Sequence, residues 1–243
     1  MDLTVILDRV AERLDENTTT GVFYTNAEMT EAINEAQRLF VLLTLCLEKT
    51  ATFALTAATA YYTDVRTTLT DYMLPLRVTL SNTRIRPATL HELDYLATAW
   101  EGTAGTPTHY AARGFNLLAV YPQPAAGGSS LSITYAYEPA VLSGSATPEI
   151  PEEYHPSLVD EATSICRLKE GGQEFQKYLM YHERFLKDAA KLAKYVRGRS
   201  IAQGYDRYPT FDLERHDISR QVTIKPLPRV PVPLIRRDTL VAS

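Results

Sequence analysis

With 243 residues, 45% of them hydrophobic and 22% charged, the chain has an ordinary globular composition and enough length to bury a core without disulfides or metals. A net charge of −4 excludes a bulk-cationic nucleic-acid coat, and no apolar run approaches the roughly 18 residues of a membrane span. The first residues, MDLTVILDRVAERLDEN, carry acids where a secretory signal carries Lys or Arg, which predicts cytoplasmic synthesis.

Residues 2–16 are predicted to form a short amphipathic helix, because Leu3, Ile6, Leu7, Val10 and Leu14 recur on one face at the 3.6-residue period. NTTTG breaks it. A second helix opens on a capping box, Thr25 with Glu28, flanked by Tyr24 and Met29 at the staple positions. Its apolar face runs through Ala32, Ile33, Ala36, Phe40, Leu43 and Leu47.

From about residue 50 the helical period disappears. MLPLRVTL, FNLLAVY and SLSITYAY are rich in β-branched and aromatic residues and often alternate with polar ones, the pattern of strands. GTAGTP and PQPAAGGSS mark turns between them. One helix interrupts at 89–99, again on a capping box, Thr89 with Glu92. Residues 49–149 therefore read as a small, mostly antiparallel β-module.

Helix returns after SGSATPEIP. Pro156 suits a first helical turn, and Leu158, Val159, Ala162, Ile165 and Cys166 form a stripe that stops at Gly171-Gly172. A longer helix over about 173–197 carries Phe175, Tyr178, Leu179, His182, Phe185, Leu186, Ala189, Leu192 and Val196, with Gly198 as the expected C-cap. Lys187, Lys191, Lys194 and Arg197 crowd its last turns, where bases suit the negative end of the helix dipole.

The predicted architecture is α+β: a helical bundle from 1–48 and 150–199, an inserted β-module over 49–149, and an extended Pro-rich C-terminal arm over 200–243. Five prolines fall in the arm, four of them in PLPRVPVP. Ile218, Val222, Ile224, Leu227, Val230, Val232, Leu234 and Ile235 give it apolar anchors, some alternating as an added strand would. Between 218 and 240 five bases, Arg220, Lys225, Arg229, Arg236 and Arg237, face one acid, Asp238, so the arm should seek an acidic surface. At the other end, residues 1–48 hold 9 acids and 3 bases. The two ends are thus suited to different neighbours.

Signals for chemistry are weak. There is no phosphate-binding glycine loop and no G-x-S-x-G elbow, and the five histidines lack i+4 metal partners. Neither a cofactor nor a metal is implied. Cys46 and Cys166 are too few for a disulfide framework and read as core hydrophobes. Glu152, Glu153 and His155 form the tightest polar cluster; a hydrolase would need a facing carboxylate, and the cluster reads more simply as a helix N-terminus. His182 reads as a core or interface histidine, and Trp100 with most of the 15 tyrosines as packing residues.

The order of pieces carries a resemblance. NAEMTEAINEAQRLFV comes first. W-x-x-x-x-G-T-P and LLAVYPQPAAGGSSLSITYAYEP follow in the β-insert. P-E-E-Y-H-P-S-L-V-D then opens a helix pair ending in FQKYLMYHERFLKDAAK. Over residues 1–198 this resembles the head-to-tail adaptor (connector) proteins of tailed bacteriophages, especially short-tailed ones. The resemblance implies a non-enzymatic virion protein at the head–tail junction, assembled as a ring of typically twelve copies. Its implied partners are the portal protein, tail (nozzle or tail-tube) proteins, and genomic DNA passing through without sequence recognition. Such a lumen should be acidic or mixed rather than densely basic, lined by the N-terminal helices or by β-module loops. The alternative reading is a saccharide- or peptide-binding module carried by the β-insert.

Overall fold

The computed structural model describes residues 1–16, 23–114, 116–169 and 175–209. The fold is α+β. In chain order, α1 is Leu3–Leu14, α2 Asn26–Thr44, β1 Glu48–Ala54, β2 Tyr61–Tyr62, α3 Val65–Thr68, β3 Tyr72–Leu80, β4 Thr83–Arg84 and β5 Arg86–Pro87. There follow α4 Leu90–Leu96, β6 Ala104–Gly105, β7 His109–Arg113, β8 Leu117–Tyr121, β9 Gln123–Pro124, β10 Ser130–Tyr137, α5 His155–Arg167 and α6 Phe175–Ala202.

Helix starts follow local chemistry. Asp2 accepts from the Val5 amide at 2.9 Å ahead of α1. Thr25 and Glu28 close a capping box at α2, and Thr89 and Glu92 another at α4. Tyr24 and Met29 are both buried beside the first box. Pro156 stands in the first turn of α5.

α5 is the axis of the bundle, packed by α1, α2 and α6. Its side chains are buried almost all round, polar ones included: Ser157, Asp160, Glu161, Thr163 and Ser164 lie inside with Leu158, Val159 and Ala162. Against it α1 presents Leu3, Ile6, Val10 and Leu14, α2 presents Met29, Ile33, Ala36 and Phe40, and α6 presents Phe185, Ala189 and Leu192. Phe40 and Phe185 meet edge to face, ring centres 5.7 Å apart.

The stretch between α2 and α5 is a two-layer sandwich. One sheet has the order β1-β10-β3-β4, the other β2-β8-β7-β5. Pairing is antiparallel except for the short β5–β7 and β6–β9 contacts. Strict alternation on β10 turns Leu131, Ile133 and Tyr135 inward, where they meet Phe53, Val78, Leu80, Tyr110, Leu118 and Val120. α4 and the 3-10 turn at Trp100–Gly102 cover the outer face of the second sheet through Leu93 and Trp100. The outer face of the first sheet, at Leu76 and Ala136, meets Leu45 and Tyr205 from the ends of the helical region.

Three local expectations are corrected. α6 runs past Gly198 to Ala202, because Val196 and Ser200 on either side of the glycine are buried and their packing outweighs the about 1 kcal/mol that glycine costs a helix. The terminating glycine is Gly204, at φ 68°, where the Tyr205 amide donates back to the Ser200 carbonyl at 2.9 Å. α4 stops at Leu96 rather than 99, and Cys46 lies beyond α2 rather than in it.

Candidate interaction faces

The described residues offer no reaction centre where the sequence hinted at one. Glu152 and Glu153 are exposed in a 3-10 turn that opens α5, while His155 is buried, its Nε2 3.0 Å from the Ile150 carbonyl and its Nδ1 3.0 Å from the Met1 amine. Nε2–H donates to the carbonyl oxygen, and both ring nitrogens are engaged inside the fold. Trp100 is buried and donates from Nε1 to Asp94 at 2.8 Å, and Tyr61 donates to Glu101 at 2.7 Å. Burial, then Glu101, pushes the Tyr61 phenol up to about 12. These aromatics pack. Among the described residues no group of three metal-ligating side chains comes together, and no helix is long and apolar enough to cross a membrane. Cys46 and Cys166 are free thiols, and burial pushes Cys166 up to about 11.

What the sequence did not foretell is a polar seam inside the bundle. Arg13 of α1 pairs with Asp160 of α5, and the Arg13 guanidinium also lies 5.3 Å from the Tyr181 ring centre. His182 Nδ1 is 2.8 Å from Glu161, which raises the histidine above its usual range. Ser157 donates to Asp188 at 2.9 Å. Single-stripe reasoning sees only the apolar face of α5. The signal available was the run of small polar residues, Ser157, Thr163 and Ser164, which suits a helix wrapped on several sides.

A second polar clasp ties the chain beyond α6 to the sandwich. The Asp206 carboxylate, fully buried, pairs with Arg84 and accepts from the Tyr110 hydroxyl at 2.8 Å, while the Asp206 amide donates to the Leu76 carbonyl at 2.6 Å. Arg199 pairs with Glu48 close by.

Three surface features stand out. Beside α4, Arg86, Pro87, His91, Glu92, Leu96 and His109 line a groove of about 440 Å³, next to Tyr95, which is 88% exposed. Along α2, Glu31, Glu35, Gln37, Arg38, Pro139 and Val141 line a groove of about 310 Å³. On α6, Arg184, Lys187, Lys191, Lys194 and Arg197 are all exposed, with Met180 and Tyr195 among them. The proposed arm anchors Ile218, Val222, Ile224, Leu227, Arg229, Val230, Val232, Leu234, Ile235, Arg236 and Arg237 lie outside the described residues.

A family model described as SU10 adaptor protein matches residues 1–210 of the chain. No curated protein matches it.

Proposed function

Since the chain belongs to the SU10 adaptor protein family and is a phage structural adaptor, we propose that it sits at the head–tail junction and forms a closed ring of twelve copies between portal and tail, with a channel that passes the genome. Family membership across residues 1–210 carries this reading. The surface adds support: acids outnumber bases on α2 and bases outnumber acids on α6, so the chain presents two different faces of the kind a head-to-tail contact joins. The protein works by being held in place and not by catalysis.

The channel reading adds a charge condition. DNA has to slide, so the lumen is lined by acidic or mixed side chains from the N-terminal helices, where Asp8 and Glu12 are exposed, or from β-module loops. The arm beyond residue 209 acts as a strap. Residues 218–240 would engage an acidic neighbour through the apolar residues named above. Deleting 218–243 should leave the circular dichroism of the core intact and weaken assembly onto the particle. Assembly of the truncated chain with undiminished affinity would refute the strap. The ring itself is tested by mass photometry of the full chain, alone and with its portal. A uniform monomer under both conditions would refute it.

The groove beside exposed Tyr95 favours one other reading, a β-module that binds a saccharide or peptide. Calorimetry of the monomer against oligosaccharides and peptides tests it, with Tyr95→Ala as the control that should abolish any heat.

A further inference from the structure

The groove along α2 has an unusual floor. Gln37 is 1% exposed, and its Nε2 donates to the Ala140 carbonyl at 3.1 Å across the groove. That bond fixes which end of the carboxamide is which, and it leaves Oε1 buried with no donor among the described residues. A buried acceptor without a donor is costly and calls for a partner. Glu31 and Glu35 are exposed and carry no ion pair among the described residues, whereas Glu138 is shared between Arg38 at 2.9 Å and Arg66 at 2.8 Å. The groove lining therefore holds Glu31, Glu35 and Glu138 against Arg38, a net of −2, with Arg66 beside Glu138, and Glu31 and Glu35 are its carboxylates without an ion pair among the described residues. Beside them Pro139 and an 80% exposed Val141 offer apolar surface.

Such a groove fits a long basic side chain, whose methylene stem packs on Val141 and Pro139 while its charged head reaches the carboxylates. The described residues supply a row of such side chains. Arg184, Lys187 and Lys191 stand at i, i+3 and i+7 on α6, the spacing of Glu28, Glu31 and Glu35 on α2. Each row is about 10 Å long at 1.5 Å per residue. Arg184, Lys187 and Lys194 have no acidic partner among the described residues, and Lys191 has only the exposed Asp188 at 2.8 Å.

We propose that the α2 groove receives the exposed basic row of α6 from the next copy of the chain, with Glu31 and Glu35 as acceptors. The acceptor and donor faces differ, so the contact is heterologous and repeats from copy to copy, closing when the rotation per step allows. This rests on the ring reading and names the faces that make the ring. Glu28 contributes less, since Lys169 already holds it at 2.7 Å.

Charge reversal on the full chain tests it, read as oligomer mass at low and high salt, alone and with the portal. Glu31→Lys with Glu35→Lys should raise the concentration needed for assembly by about tenfold or more, and Arg184→Glu with Lys187→Glu should do the same. All four changes together should restore assembly, which also shows that neither pair merely fails to fold. Wild-type assembly should weaken as salt rises from about 0.05 to 0.5 M. If both pairs of reversals assemble like wild type, the faces are wrong while the ring stands. If reversal on α2 disrupts assembly, reversal on α6 does not, and deletion after residue 217 mimics the α2 defect, the arm is the occupant and the assignment to α6 is overturned. If wild type forms no closed oligomer in either setting, the ring reading itself falls, and this proposal with it.

Discussion

The Tyr110 hydroxyl donates to the Asp206 carboxylate at 2.8 Å, joining the middle of the β-sandwich to the chain that has just left α6. Burial first, then the nearby Asp206 charge, drives the Tyr110 phenol far above its usual range, so it stays a donor at every physiological pH. With Arg84 on the other oxygen and the Leu76 carbonyl on the amide, this clasp sets where everything after residue 206 departs.

Asp206→Ala should therefore cost about 1–3 kcal/mol, because it strands the Tyr110 hydroxyl and a half-exposed Arg84. The melting temperature should fall by several degrees. Trypsin should also cut faster after Arg207, a readout that a general loss of stability would spread over the whole chain.

The Glu161–His182 pair makes stability depend on pH. The hydrogen bond that His182 Nδ1–H donates to the Glu161 carboxylate raises His182, against burial, with Glu183 adding to the rise. A histidine raised in the folded state lends stability that is complete below its unfolded value of about 6.5 and is lost as pH rises through the higher folded value. Melting temperatures from pH 5.5 to 9 should show this loss, and Glu161→Gln should flatten it. An NMR titration placing His182 at or below 6.5 would contradict the account.

Gly198 is an exposed position inside α6, with an ordinary φ and nothing within 4 Å of where a Cβ would stand. Gly198→Ala should stabilise the protein by about 0.5–1 kcal/mol, by restricting the unfolded chain and favouring helix. Chemical denaturation with an unchanged slope is the check.

At the start of α2, Thr25→Ala should cost about 1 kcal/mol by freeing the Glu28 amide that the threonine hydroxyl now holds at 3.2 Å. Lys169, then Thr25, holds the Glu28 carboxyl down to about 2. The stability tied to that carboxylate is present above about 4.3 and lost as pH falls through the lowered value. The acid limb of wild type should therefore shift in a Lys169→Met variant, read by circular dichroism between pH 2 and 5.

The sequence by itself determined the helices α1, α2, α4, α5 and α6 and the strands β3, β8 and β10, because both periods are local: every three to four residues along the long helices, every two along β10; α3, β1 and β7 were not legible one by one. Both capping boxes were legible for the same reason, since Thr25–Glu28 and Thr89–Glu92 act within a single turn. Tertiary structure alone decided that α5 is the axis. Its inner face includes Asp160 and Glu161, which no stripe rule puts inside; they are buried because Arg13 and His182, 147 and 21 residues away, arrive to pair with them. It likewise decided that α6 continues through Gly198, where packing of Val196 and Ser200 outweighs a local glycine cost. The α2 groove is of the same kind. Glu31, Glu35 and Gln37 look like ordinary helix-surface residues until the Pro139–Val141 segment folds back across them, more than 100 residues later, and buries one end of a carboxamide that local sequence leaves in water.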